Sequence, residues 1–221
     1  MVIRSTFIIL LMLSQVFQAI SAETGRDPAR WQTNIDAFLA TDQEQPTKPG
    51  GVVFAGSSSI RMWDLKKSFP EGGFLNRGFG GSEIIDSTHY FNDLIGKHKP
   101  RLVVFYAGDN DVANGNTAEQ VHADFRAFVE KFKTELPDAR LAYVAIKPSI
   151  ARWSMAETMK SANNLIAADC AADDQLTFVD VWSVMLGDNG TPKPDIFLGD
   201  GLHMNEKGYE LWAELLRPHL Q

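Results

Sequence analysis

Thiol chemistry is almost missing from this sequence: Cys170 is its one cysteine, so no internal disulfide can form. Its neighbours Asp169, Asp173 and Asp174 are acidic, the reverse of the electropositive setting that activates a thiolate. A small buried thiol on a helix is the expectation. Cations are scarce too, with 21 Lys and Arg against 28 Asp and Glu and a formal net charge of −7. That balance is poorly matched to phosphate backbones and argues against nucleic acid as a partner. The five histidines form no His-x-x-x-His or His-Glu-x-x-His pair, which leaves a zinc hydrolase without its usual ligands. No Gly-x-Ser-x-Gly elbow occurs around Ser58, because Ile60 stands at the second glycine position, so an ordinary α/β-hydrolase is disfavoured. Internal repeats, low-complexity tracts and interdomain linkers are also lacking.

What is present begins with a leader. Arg4 supplies a positive start, Phe7 to Phe17 is mostly apolar, and Ala19-Ile20-Ser21-Ala22 offers small residues for cleavage. Residues 1–22 therefore read as a secretory signal peptide, with an exported (periplasmic or secreted) mature chain. The apolar stretch falls short of the roughly 20 residues of a bilayer span; retention as an anchor is the alternative. No cysteine follows it to carry a lipid. Cleavage removes Arg4 alone among charged residues, taking the net charge from −7 to −8. Residues 23–221, from a sequence 44% hydrophobic and 22% charged, suit one domain with a substantial core.

Strand and helix patterns alternate along that domain. The β-branched and aromatic runs Val52–Ala55, Gly73–Asn76, Leu102–Ala107, Leu141–Ile146 and Leu176–Val181 predict buried strands. An N-terminal helix is expected from about Pro28 to Thr41, followed by a polar lead-in from Gln43 to Gly51. Thr117-Ala-Glu-Gln120 and Ser154-Met-Ala-Glu157 read as capping boxes. The last helix starts near Asn205 and buries Leu211, Trp212 and Leu215. This alternation predicts an α/β fold, a three-layer α/β/α sandwich around a five-stranded parallel, flavodoxin-like sheet. A site would lie at the carboxyl ends of the strands.

Four segments near those ends carry chemistry. In Asp200-Gly201-Leu202-His203 an acid sits three residues before a histidine across a glycine turn, where it can fix the imidazole tautomer and prepare a general base. His89, His98, His122 and His219 lack such an acid and read as surface or helix-end residues. Ser57-Ser58-Ser59 follows Gly51–Gly56 at a strand-to-helix junction, where an exposed serine nucleophile or a helix cap would sit. Gly80-Gly81 permits a tight turn or an unobstructed backbone amide. Asn110, within Gly108-Asp109-Asn110-Asp111, shapes a turn or donates from its side chain.

These blocks, in this order from about residue 51 to 220, resemble the SGNH (GDSL-type) hydrolases, named for Ser, Gly, Asn and His in separated segments. The resemblance implies a serine esterase or acylhydrolase that needs no cofactor and no metal. It implies Ser58 as nucleophile with Asp200 and His203 as partners. The backbone amides of Ser58 and Gly81 and the Asn110 side chain would form the oxyanion hole. Ser57 stands where the family's Gly-Asp-Ser pattern has its acid, and Ser82 where an acid often follows the glycine. Gly80 is the neighbouring choice for the amide donor, and Asp109 and Asp111 would only shape their loop.

The expected substrate is a short-chain carboxylic ester, on an acetylated glycan or a lipid, because the loops are brief and nothing resembles a long apolar lid. Trp63, Phe79, Tyr106 and Trp153 are candidates to line an acyl pocket or stack on a sugar, though core packing is the commoner use of such residues. Arg61 and the pair Lys147…Arg152 would meet an anionic head group or stay on a solvated edge. A lysophospholipase or thioesterase is the alternative within the family. Outside it stand a metal-dependent phosphoester hydrolase using Asp109, Asp111, Asp200 and His203, and a catalytically silent glycan-binding domain.

Overall fold

The computed structural model describes residues 27–221; the signal peptide expected at residues 1–22 lies outside them. Five strands, β1 (Val52–Gly56), β2 (Leu75–Gly78), β3 (Leu102–Tyr106), β4 (Arg140–Val144) and β5 (Leu176–Val179), form one sheet in the order β2-β1-β3-β4-β5. Every pairing is parallel. The two-residue pleat divides each strand between two cores. Val53, Ala55, Val103, Phe105, Leu141 and Tyr143 face one side, packed beneath the helices Ala118–Glu135 and Ala156–Ala171. Val52, Phe54, Val104, Tyr106, Ala142 and Val144 face the other, against the Glu206–Leu216 helix through Trp212 and Leu216. The result is the three-layer α/β/α sandwich that the alternating pattern predicts.

Parallel strands require crossovers, and here β2 returns to one side of β1 while β3 lies on the other. The sheet order therefore reverses between β1 and β3, and a crevice opens beyond their carboxyl ends. Ser58 follows β1, and Asp109 and Asn110 follow β3, so the topology sets these segments side by side.

Strand boundaries shift by one or two residues, and the N-terminal α-helix starts four residues later and ends three later than its pattern predicts. β2 starts at Leu75 because Gly73 adopts φ +58, a conformation that breaks an extended run. Thr117 and Gln120 do form a reciprocal capping box. Ser154 does not cap its helix: Trp153–Met155 make a 3-10 turn and the α-helix starts at Ala156 without a side-chain cap. The N-terminal segment is a 3-10 turn, Pro28–Trp31, leading into the Gln32–Glu44 helix.

Candidate active site

Gly56 ends β1 at φ +128, and a Cβ built on it would stand 1.9 Å from the Tyr106 carbonyl oxygen. Only glycine lets β1 and β3 close here, which allows the Ser57 amide to donate to that same carbonyl at 3.0 Å. The short helix Ser58–Arg61 begins one residue later. Ser57 and Ser59 turn inward and are buried, while Ser58 is half-buried and reaches the cleft.

Its Oγ lies 3.0 Å from His203 Nε2, and His203 Nδ1 lies 2.6 Å from Asp200 Oδ2. Asp200 Oδ1 accepts the backbone amides of Leu202 and His203, each at 2.9 Å. Gly201, at φ +64, provides the reversal. The imidazole bond and the two amides hold the Asp200 carboxyl down at about 2, so it is ionised at neutral pH. A carboxylate can only accept, which places the imidazole proton on Nδ1 and leaves Nε2 to accept the Ser58 hydroxyl.

The facing wall of this open cleft, about 450 Å³, is lined by Gly80, Gly81, Asn110 and Arg152, with Arg61 and Asn34 at its sides. The two glycines differ in what they require. Gly81 sits at φ +85, which a side chain would strain, whereas a Cβ on Gly80 would stand 2.8 Å from Arg61 Nε. The Arg61 side chain thus lies along the space that Gly80 leaves. Asn110 Nδ2 donates to the Ser82 carbonyl at 2.9 Å, and its Oδ1 accepts both terminal nitrogens of Arg152 at 3.1 Å. Arg152 Nη1 also donates to Asp109 Oδ1 at 2.6 Å, and Lys147 Nζ to Asp109 Oδ2 at 2.7 Å. Burial pushes the Asp109 carboxyl up, but Lys147 and Arg152 more than offset it and keep it below its ordinary value.

Several expected residues lie elsewhere. Trp63 is buried on the second sheet face, 5.3 Å from Tyr209 and 5.7 Å from Trp212 between ring centres. Phe79 is wholly buried against Trp31. Trp153 stacks on Trp182 at the edge of the first core. Tyr106 is buried with its hydroxyl on Asp109. None of the four lines the cleft with Ser58, because aromatics at strand ends here fill the layers between sheet and helices. Trp63 instead borders a separate groove with Met62, Leu198 and Tyr209. Lys147 is no solvated edge but 1% exposed. Asp109 does more than shape a loop, since it anchors both cations.

The donors of the metal reading are also dispersed. Asp109 is taken by Lys147 and Arg152, and Asp111 is buried under the Ile84 amide at 3.0 Å. Among the described residues no group of three or more His, Cys, Asp or Glu is arranged to hold a metal. His98 is a helix-end residue but buried, hydrogen-bonded to Thr47 Oγ1, and burial pulls it down to about 4. His122 meets Asp169 at 2.8 Å, far from the cleft in sequence. Burial pushes the Cys170 thiol up to about 12, as an inert thiol requires. No helix of the described residues is long and apolar enough to cross a membrane. The contribution of Arg152 escaped the sequence pattern because it lies 42 residues from Asn110, joined to it only by the packing of β3 against β4.

The GDSL-like Lipase/Acylhydrolase family profile matches residues 50–211. The platelet-activating factor acetylhydrolase IB subunit alpha1 of Bos taurus is 27% identical over 191 residues, covering 81% of this chain and 78% of that one. A GDSL-like lipase from Bacteroides thetaiotaomicron superposes with a TM-score of 0.71 at 22% identity, over 88% of this chain and 97% of that one. A mutant of an acetyl-xylooligosaccharide esterase from Geobacillus stearmophilus superposes with a TM-score of 0.61 at 18% identity, over 77% and 94%. At such identities the two structures speak for the fold alone. The profile match, spanning most of the chain and all of the motif segments, places this protein in the GDSL-like lipase/acylhydrolase family as an ester hydrolase.

Proposed function

We propose that this protein hydrolyses short-chain carboxylic esters through an acyl-enzyme on Ser58. The observation that carries this reading is the continuous hydrogen-bonded chain Ser58–His203–Asp200, opening into the same cleft as Asn110 and Gly81. His203 Nε2 takes the Ser58 proton as Oγ attacks the ester carbonyl, and Asp200 stabilises the imidazolium that forms. The oxyanion is received by the amides of Ser58 and Gly81 and by the free N–H of Asn110 Nδ2. One such donor is worth ~10²–10³ in turnover. His203 then returns its proton to the leaving alcohol, and water repeats the sequence to release the acid. No step calls on a metal or cofactor.

Short acyl groups, acetyl to about hexanoyl, are the preferred substrates. The cleft is open, and Leu202 is the one aliphatic side chain among its lining residues, so no deep side-chain wall is offered to bury a long tail at ~0.8 kcal/mol per CH₂. Two relatives are named for acetyl esters, an acetylhydrolase and an acetyl-xylooligosaccharide esterase, and acetylated glycans are accordingly the first class to assay. A fluorophosphonate should label Ser58 in the wild type and leave Ser58→Ala unlabelled, read by mass spectrometry of the peptide. Absence of wild-type labelling and ester turnover would sink the serine mechanism. An aryl-ester series tests chain length: kcat/KM rising steadily to dodecanoyl would overturn the short-acyl reading and move the tail to the groove between Met62 and Leu198. Export through residues 1–22 belongs to the same proposal, and N-terminal sequencing of secreted protein retaining Met1 would contradict signal cleavage.

A further inference from the structure

We propose that Arg152, braced by the buried Lys147–Asp109 pair, is a positioning residue that fixes the Asn110 amide with its N–H toward the reacting carbonyl. The proposal rests on the acyl-enzyme reading, in which Asn110 receives the oxyanion. A primary amide has two nearly isosteric ends with opposite function. Turned by 180°, Asn110 would present a carbonyl oxygen to a developing negative charge, and a donor would become a repulsion.

Two neighbours forbid that rotation. A guanidinium has donors and no acceptor, so only Oδ1 can face Arg152; a backbone carbonyl has no donor, so only Nδ2 can face Ser82. Both contacts are made, at 3.1 Å from each arm of Arg152 and at 2.9 Å to Ser82. One N–H is thereby used and the other is left for the cleft. A cation on Oδ1 also draws electron density from the amide and strengthens its remaining donor.

Arg152 could not hold this place alone, since its side chain is 18% exposed and lies at the cleft edge. Asp109 fixes it at 2.6 Å, and Asp109 is itself held by Lys147 and by the Tyr106 hydroxyl. Lys147 is anchored in turn. Asn163, on the helix Ala156–Ala171, bonds both the amide and the carbonyl of Ile146, at 2.8 and 2.9 Å, which pins the chain immediately before the lysine. Buried ion pairs are weak contributors to stability, often replaceable by apolar residues at no loss. Two buried or half-buried cations converge on the Asp109 carboxylate, and one of them, Arg152, grips Asn110; geometry control at the cleft explains that arrangement better.

The test is a double-mutant cycle on an acetyl aryl ester, using Arg152→Gln, Arg152→Lys, Asn110→Ala and the two double variants. Arg152→Gln should lower kcat by about 10- to 100-fold, up to the value of one oxyanion donor, with KM changed less than about 2-fold. In the Asn110→Ala background the same substitution should cost less than about 3-fold, because the group it positions is gone. Arg152→Lys keeps the charge beside Asp109 and hence the fold, but an ammonium cannot make the two-armed bond; it should lose kcat with the same coupling to Asn110. Melting curves and near-UV circular dichroism screen the variants for folding, and Arg152→Lys decides the matter if Arg152→Gln unfolds. An undiminished loss in the Asn110→Ala background, or a loss confined to KM for acid-bearing esters, would overturn the proposal and make Arg152 a substrate-binding residue. Wild-type turnover abolished by Ser58→Ala separates these outcomes from failure of the acyl-enzyme reading itself.

Discussion

Three adjacent serines end the β1 segment, and burial divides their labour. Ser57 and Ser59 are each 2% exposed and point into packed structure, while Ser58 alone meets His203. On the proposed acyl-enzyme mechanism, Ser58→Ala should lower ester turnover by ~10⁴–10⁶, since a nucleophile and its base act as a unit. Ser57→Ala and Ser59→Ala should cost less than about 10-fold, and steady-state kinetics on one aryl ester separates the three. Asp200→Asn should lower kcat by roughly 10²–10⁴ through loss of the imidazolium's partner and its tautomer control. Full activity in that variant would remove Asp200 from the mechanism. At this scale the sequence is informative wherever partners are near in the chain: Asp200 and His203 belong to one turn, and a spacing of three suffices to join them. It is silent where partners are distant. Arg152 reaches Asp109 across 43 residues, and no spacing announces that bond.

Elements are legible by period, but their ends are decided by backbone and packing. The central strands β1 and β3 stand out as continuous apolar runs because both faces of the sheet are covered there, whereas the edge strand β2 reads Leu-Asn-Arg-Gly and is the least legible of the five. The aromatics at their ends carried the same signature as a substrate pocket, yet Phe79 and Tyr106 went to the core. Composition alone does not separate a ring that faces a helix from one that faces a cleft. Glycines mark the ends more surely. Gly56→Ala would drive Cβ into the Tyr106 carbonyl at 1.9 Å and keep a residue at φ +128, where neither neighbour is a flexible side chain. It should destabilise by about 3–5 kcal/mol and misplace Ser58. Gly115, at φ +94 with nothing within 4 Å of its Cβ, is the control: Gly115→Ala should cost only about 1–2 kcal/mol of backbone strain. Urea melts of the two variants check the contrast, and equal losses would show that the β1–β3 contact is not the cause.

At the scale of the whole molecule, charge and burial meet at Asp111. It lies against the start of the Ile84–His89 helix, fully buried, with Oδ1 accepting the Ile84 amide and Oδ2 without a partner. Burial raises its carboxyl to about 7, the Ile84 amide opposes this, and the charges of Glu83 and Asp124 add to it. The unfolded chain releases that proton near ~3.9. Between about pH 4 and pH 7 the folded state therefore binds more protons than the unfolded state, and stability falls as pH rises, by at most ~1.4 kcal/mol per unit for one proton. His98, pulled down to about 4 by burial, acts in the opposite sense: its contribution is lost as pH falls from the ordinary histidine range through 4. The two effects are separable because Asp111→Asn removes only the first. The amide oxygen can still accept from Ile84, and it carries no charge at any pH. Unfolding free energies of wild type and Asp111→Asn, from urea melts between pH 4.5 and pH 8, should diverge with pH in favour of the variant by about 2–4 kcal/mol across that range. His98 is common to both proteins and cancels in the difference. A difference independent of pH would mean that Asp111 is ionised throughout and that its buried surroundings supply a compensating donor.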